Sequence, residues 1–295
     1  MTFRFPTGGR RRPRRPGFGS MAKGRLLIAG AIALFAIVGF LMSGDENPIT
    51  GKTQRVGLTE EQEVALGYQS KPQMINQMGG AHGPRSPKAE FLDTVGQVLL
   101  DRSGIQSRLD QEGIPWRFTF TLLEDDQTIN AFALPGGPVF MTEALFDKLD
   151  NEAQIAGVLG HEIGHVIERH GAQRMAKEKL GQGLTQAAVV GTGDYSAAQI
   201  GQVVNGVIQS SYSRDQELES DAWGLEMMVD AGYDPREMIG VMQTLREASG
   251  DGPRGPQFMQ THPYPEDRIK AIEAWVARRF PDGVPTHLDS GTQLP

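Results

Sequence analysis

The stretch NEAQIAGVLGHEIGHVIERH, Asn151 to His170, decides how the rest of the chain is read. Asn151 and Gln154 suit an N-cap and its partner three residues on, and Gly171 supplies a stop, so the spacing predicts one helix ending at His170. Within it His161, Glu162 and His165 form the pattern H-E-x-x-H. Residues four apart lie about 40° apart around a helix, so both imidazoles point at one ion. Glu162, about 100° round from His161, is near enough to reach a water on that ion. Ile155, Ala156, Leu159, Ile163, Val166 and Ile167 take the opposite arc and can face a core. Gly157, Gly160 and Gly164 form a stripe of their own, each costing about 1 kcal/mol against alanine. That cost predicts another backbone packed closely there. The bland alternative is a buried amphipathic helix with incidental histidines.

A catalytic metal site of this kind needs a third protein ligand and an open position for water. The chain has no cysteine, so the ligands must be histidines and carboxylates. Glu217 and Asp221 sit four apart on one face of a strong predicted helix, Arg214 to Ala231, closed by Gly232. One carboxylate can ligate while the other accepts the N–H of a ligating histidine and fixes its tautomer. Equally, Asp215, Glu217, Glu219 and Asp221 read as a solvated acidic face, and spacing alone does not separate the two. His170 is disfavoured as the third ligand, because on one continuous helix it points about 180° away from His161.

Outward from the motif, composition bounds the rest. The 295 residues leave room for one or two domains, and 39% hydrophobic content suits a globular body. A cysteine-free chain is compatible with either redox compartment. Residues 1–25 hold eight of the 29 basic residues and no acid, which leaves 21 basic against 36 acidic in the remainder, a net of −15. So acidic a body argues against nucleic acid as a partner. The basic block adjoins Leu26 to Gly44, 19 uncharged and mostly apolar residues. As a helix this run spans about 28 Å, close to a hydrocarbon core of roughly 30 Å. Arginines before it, with Asp45 and Glu46 after it, put the N-terminus in the cytoplasm and the rest outside. A cleaved signal peptide is the rival reading, against which stand a long basic region and the large residues Leu41 and Met42 near the cut points. The expected organisation is a basic cytoplasmic tail over 1–25, a transmembrane anchor over 26–44 and a linker over 45–57. A catalytic domain over 58–280 and a tail over 281–295 follow.

No internal repeat is present. Thr59 and Gln62 predict a capping box opening a helix to about Met78. A second helix is predicted from Lys88 to Arg108. Strands are predicted over Trp116 to Leu123 and Ile129 to Leu134, the latter turning at Pro135-Gly136-Gly137 into Val139 to Met141. Met175 to Val190 reads as a helix too polar and too broken to be a membrane span. Ala197 to Gln209, Asp234-Pro235 to Ser249 and Pro265 to Arg279 read as further helices, with loops over 191–196 and 250–256. The expectation is an α+β fold, mostly helical, with a small antiparallel sheet.

Four blocks now stand in order: NAFALPGG (Asn130 to Gly137), HEIGH, Glu217-Leu218-Glu219-Ser220-Asp221, which begins 52 residues after His165, and THPYPEDRI (Thr261 to Ile269). Together they resemble the zinc metallopeptidases that include HtpX and the CAAX prenyl protease, a gluzincin group. The greatest likeness is to its BepA/LoiP-like periplasmic branch, without a tetratricopeptide extension and without the multiple spans of HtpX. The resemblance covers roughly Leu58 to Arg279. It implies a zincin-type domain with Zn2+ as cofactor, Glu217 as the third ligand beside His161 and His165, and Asp221 supporting a ligand from behind. Ser220 stands where the family usually has alanine. The resemblance also places His262 beside the metal. There it would either stabilise an oxyanion or take the open coordination position and displace water. The plain alternative is a loop histidine capping a carbonyl before the last helix.

The activity implied is peptide-bond hydrolysis with Glu162 as general base. Phe132, Ala133 and Leu134, together with Asn130, are the candidates for an edge strand to which an extended substrate adds. An ordinary hairpin fits that segment as well. Unfolded or misassembled envelope proteins are the substrates the resemblance suggests. A membrane-tethered chaperone or adaptor with a structural zinc is the alternative function. A structural site carries four protein ligands and no base, so Glu162 favours the enzyme.

Overall fold

In the computed structural model, which describes residues 18–192, 211–249, 256–263 and 265–295, the first element is a long apolar helix, α1 (Phe18–Met42). Lys23–Met42 is long and apolar enough to cross a membrane, with a mean hydropathy of 2.3. Its large side chains stay uncovered, Leu27 at 76% and Phe35 at 82% exposure. The short strands β1 (Gly44–Glu46) and β2 (Thr53–Arg55) then pair antiparallel, Gly44 opposite Arg55. Residues 45–57, expected as a linker, are therefore a hairpin docked on the body. Asn47 and Val56 are buried. Asn47 Nδ2 donates to the Ile167 carbonyl at 2.7 Å, and Gln54 Nε2 donates to the Glu168 carbonyl at 3.0 Å. These polar side chains look like linker chemistry but satisfy carbonyls stranded at a helix C-terminus.

The helix α2 (Glu60–Gln77) opens with the predicted Thr59–Gln62 capping box. The helix expected over 88–108 is two, α3 (Pro87–Ser103) and α4 (Ile105–Gln111), because Gly104 takes φ 68° and ends the first. Three strands follow, β3 (Thr119–Leu123), β4 (Ala131–Ala133) and β5 (Pro138–Thr142), in the order β3-β5-β4. The sheet is small but not purely antiparallel. Phe120 lies opposite Val139 in a parallel pair, while Phe132 lies opposite Phe140 in an antiparallel one. The connection between β3 and β4 carries the chain to the far side of β5. That return reverses β4 but leaves β3 and β5 running the same way.

After the short α5 (Glu143–Phe146) come α6 (Glu152–Ile167), α7 (His170–Thr192) and α8 (Arg214–Ala231). Three more close the chain: α9 (Glu237–Ser249), α10 (Gln257–Thr261) and α11 (Pro265–Arg279). Asn151 caps α6 by accepting from the Gln154 amide, as its sequence predicts. Every residue of α6 from Ala153 to Ile167 is buried. A Cβ on Gly160 would lie 2.9 Å from Gly224 Cα, and one on Gly164 would lie 2.9 Å from Ser220 Cα. The glycine stripe thus lets α8 press backbone to backbone against α6, the two running antiparallel. Three glycines forfeit about 3 kcal/mol of helix propensity. Burial of Val158, Leu159, Ile163 and Ile167 on the same helix outweighs it, at roughly 1.5–3 kcal/mol per side chain.

On its other side α6 shares a core with α3 and the sheet, through Leu92, Val95, Leu99, Trp116, Leu122 and Met141. The segment 281–295, expected as a loop-like tail, docks on the start of α6. Glu152 and Ala153 donate backbone N–H groups to the Thr292 and Ser290 carbonyls, filling positions that a helix N-terminus leaves open. The helix expected over 197–209, most of the loops at 191–196 and 250–256, and most of the basic tail at 1–25 lie outside the described residues.

Candidate active site

Four buried side chains from three parts of the fold converge. His161 and His165 come from α6, Glu217 from α8, and His262 from the turn between α10 and α11. One nitrogen or oxygen of each lies within 4.8 Å of the others. The Nε2 atoms of His161 and His165 are 3.1 Å apart. Glu217 Oε2 lies 3.6 Å from the first, and its Oε1 3.5 Å from the second. His262 Nδ1 lies 3.1 Å from His161 Nε2 and 3.2 Å from Glu217 Oε1. Exposure is 2% or less for all four. The structure therefore brings together the three residues expected as ligands and adds His262 to the same cluster.

The donor set fits a divalent metal. Atoms about 2.0–2.1 Å from a common centre in tetrahedral array stand roughly 3.3–3.4 Å apart, which is the spacing seen here. His161 Nδ1 donates to Asp221 Oδ1 at 2.8 Å, so its Nε2 is a bare lone pair facing the cluster. Glu217 Oε2 is buried without a hydrogen-bond partner, as is Glu162 Oε1. Arg268 Nη1 lies 2.8 Å from that Glu217 oxygen without the alignment of a hydrogen bond. Lone pairs and orphaned carboxylate oxygens gathered out of water are costly unless a cation resolves them.

Electrostatics sort the acids by role. Burial pushes Glu162 up from the usual carboxylate range, so it takes a proton more readily than an exposed glutamate. Burial also works against ionised Glu217, but the facing His262 and Arg268 outweigh it and hold the group well below that range. Asp221 is lowered too, its burial overcome by Arg268 and by the His161 hydrogen bond. Burial drives the His165 imidazole toward its neutral form, the form that ligates.

Arg268 is the main participant that sequence reasoning missed. It is fully buried, and it donates from Nε to Asp221 Oδ2 at 2.8 Å and from Nη2 to Oδ1 at 2.6 Å. A signal was present: Arg268 belongs to the Thr261 to Ile269 block, and an arginine there offers the planar fork that two acids of one helix require. Tyr212 was also missed. Its ring stacks on His165 with centroids 3.9 Å apart. His170, expected to point away, lies beside His165 instead, because the helix ends at Ile167 rather than at His170.

Of the expected substrate residues, Phe132 and Ala133 lie in β4, one of the two edge strands of the sheet among the described residues. Ala133 and Leu134 line a crevice together with Glu63, His165, Arg169 and Tyr212. Phe132 stacks on Phe140 of β5 at 4.8 Å. Asn130 is 5% exposed, and its side-chain oxygen has no hydrogen-bond partner.

The description "Peptidase family M48" matches residues 88–276 of the chain. Among curated relatives, the beta-barrel assembly-enhancing protease of Yersinia pestis is 30% identical over 83% of this chain and 50% of its own length. The protein of the same name from Escherichia coli K12 is 28% identical over 82% of this chain and 50% of its own length. The mitochondrial metalloendopeptidase OMA1 of Saccharomyces cerevisiae is 28% identical over 85% of this chain and 73% of its own length. The chain thus spans about half the length of the bacterial relatives it matches.

Proposed function

The chain belongs to peptidase family M48, and from that premise we propose that it is a zinc-dependent endopeptidase with His161, His165 and Glu217 as ligands and Glu162 as general base. The observation that carries the reading is the buried Glu162 Oε1, without a hydrogen-bond partner among the described residues, next to two imidazoles and a glutamate that converge on one point. A four-ligand structural site has no use for a buried carboxylate with an orphaned oxygen. The metal, when bound, supplies Lewis acidity that acidifies water and polarises a carbonyl.

The chain's own residues account for the rest. Glu162 takes the proton of the attacking water and delivers it to the leaving amine nitrogen. Asp221, clamped by Arg268, holds His161 in the ligating tautomer. The outer edge of β4, which pairs with no other strand among the described residues, holds an extended peptide by main-chain hydrogen bonds, which selects unfolded segments over folded ones. His262 Nδ1 sits inside the cluster, where it would take the position that water needs once a metal is bound, and its Nε2 lies 3.5 Å from Glu162 Oε1. The described conformation is on this reading a closed, resting one. Membrane attachment through α1, with residues 58–280 on the side away from the cytoplasm, makes unfolded or misassembled envelope proteins the natural substrates.

Hydrolysis of unfolded casein by the full-length protein tests the reading. It should be abolished by a chelator and restored by zinc. Glu162→Gln should keep about one zinc per chain yet lose at least about 10²-fold in rate. A Glu162→Gln protein within a few fold of the parent would sink the mechanism.

A further inference from the structure

We infer that His170 is a positioning residue for His165, itself oriented by Glu219; the inference rests on the metal site proposed above. His165 Nδ1 lies 2.9 Å from His170 Nδ1, and His170 Nε2 lies 3.2 Å from Glu219 Oε2. For a neutral His170 only one arrangement of protons satisfies both contacts; a doubly protonated His170 would satisfy them too, but it would leave His165 with its proton on Nε2, facing the cluster, where no lone pair could ligate. Two ring nitrogens this close share a single proton, and an ionised carboxylate accepts but cannot donate. With its proton on Nδ1, His170 would turn a bare Nε2 toward the Glu219 oxygen, lone pair against lone pair. With its proton on Nε2, His170 donates to Glu219 and its Nδ1 accepts from His165 Nδ1–H. The second arrangement leaves His165 Nε2 as a lone pair aimed into the cluster, the state a ligand must have. His161 reaches that state directly through Asp221, and His165 reaches it through an intervening imidazole.

The backbone is bent to bring His170 there. Arg169 has φ 54°, and it is the one non-glycine residue with positive φ among the described residues. A straight continuation of α6 would have carried His170 away from the site. The bend is held by the buried Arg169 guanidinium. Its Nη1 pairs with Asp45 at 2.7 Å and Glu60 at 3.1 Å, its Nε pairs with Glu63 at 3.0 Å, and its Nη2 donates to the Leu58 carbonyl. Glu168, His170 and Glu219 have the composition of a second metal site. Lys52 Nζ already supplies the positive charge there, 3.0 Å from Glu168 Oε1 and 2.7 Å from Glu219 Oε1. The contacts behind His165 therefore end on the hairpin that follows α1.

The test uses full-length, zinc-loaded protein labelled with 15N-histidine. The parent should show His170 protonated on Nε2 and bare on Nδ1, with His165 protonated on Nδ1. In competition with a chromophoric chelator, His170→Ala should lose about 10–100-fold in zinc affinity. His170→Gln, whose carbonyl oxygen can accept from His165, should recover part of that loss. A parent His170 protonated on Nδ1, or a folded His170→Ala protein with parental zinc affinity, overturns the inference. If His170→Ala does not fold, the tautomer read in the parent decides. A parent that binds no zinc would instead remove the metal site on which the inference stands.

Discussion

Glu162 and His262 meet across 3.5 Å, and the contact separates two roles that a histidine in this place can take. With Nδ1 lodged among the proposed ligand atoms, His262 would compete with water for a bound metal. On that reading His262→Ala should raise casein hydrolysis at saturating zinc several-fold. A fall of about 10²-fold would assign it to the oxyanion instead. A different residue contributes to the acid limb of stability. Glu219, 38% exposed at its side chain, is lowered to about 2, chiefly by the hydrogen bond from His170. A carboxylate whose pKa falls on folding binds fewer protons in the native state than in the unfolded chain. Its contribution is complete above about pH 4.5 and is lost as pH falls toward 2. Glu219→Gln should therefore flatten the plot of Tm against pH in that window, and a slope equal to the parent's would show that Glu219 adds nothing.

Helix α6 and helix α8 are locked by the absence of side chains at their crossing. A methyl at Gly164 would come within 2.9 Å of both Ser220 Cα and Ser220 O, backbone that cannot swing aside. Gly164→Ala should then cost about 1–3 kcal/mol as overpacking and lower Tm by several degrees, at roughly 2–4 °C per kcal/mol for a protein of this size. Parting the helices would also move Glu217 away from the histidines, so zinc affinity should fall with it. Gly157 is the internal control. A methyl there meets Met228 Sδ at 3.4 Å and Met238 Cβ at 3.7 Å, ordinary contact with flexible side chains. Gly157→Ala should be neutral or should gain up to about 1 kcal/mol from helix propensity. Equal damage from both substitutions would refute the close-crossing account.

The whole molecule joins a membrane-compatible helix to the buried histidine–glutamate cluster by a short path. From Met42 the chain passes into the hairpin, whose Lys52, Asn47 and Gln54 all contact the end of α6 or the acids beside it. Helix α1 also lies along α7, where a Cβ on Gly183 would come within 2.5 Å of Ala36 Cβ. The protein should sediment with membranes, and protease added to the non-cytoplasmic face of sealed vesicles should digest residues 58–280. Protection of that domain would reverse the proposed topology. A mature chain starting after about Gly44 would instead indicate a cleaved signal.

The sequence by itself determined the elements whose cause is local. The Thr59–Gln62 capping box, the Asn151 cap and the H-E-x-x-H spacing each depend on residues within a turn or two of one another, and all are present as read. The glycine stripe told of a close neighbour, because a repeated propensity cost needs a compensating contact. It did not say which helix that neighbour was. Tertiary structure alone decided that Glu217 and Asp221 face α6 rather than water, that Arg268 fixes Asp221, and that β3 pairs parallel to β5. It alone turned residues 45–57 from linker into support and bent His170 back on His165. The physical reason is common to all of these. A charged or polar side chain carries the same local signature whether it ends in water or in a buried pair. Only packing between distant segments, which removes the water, settles which it is.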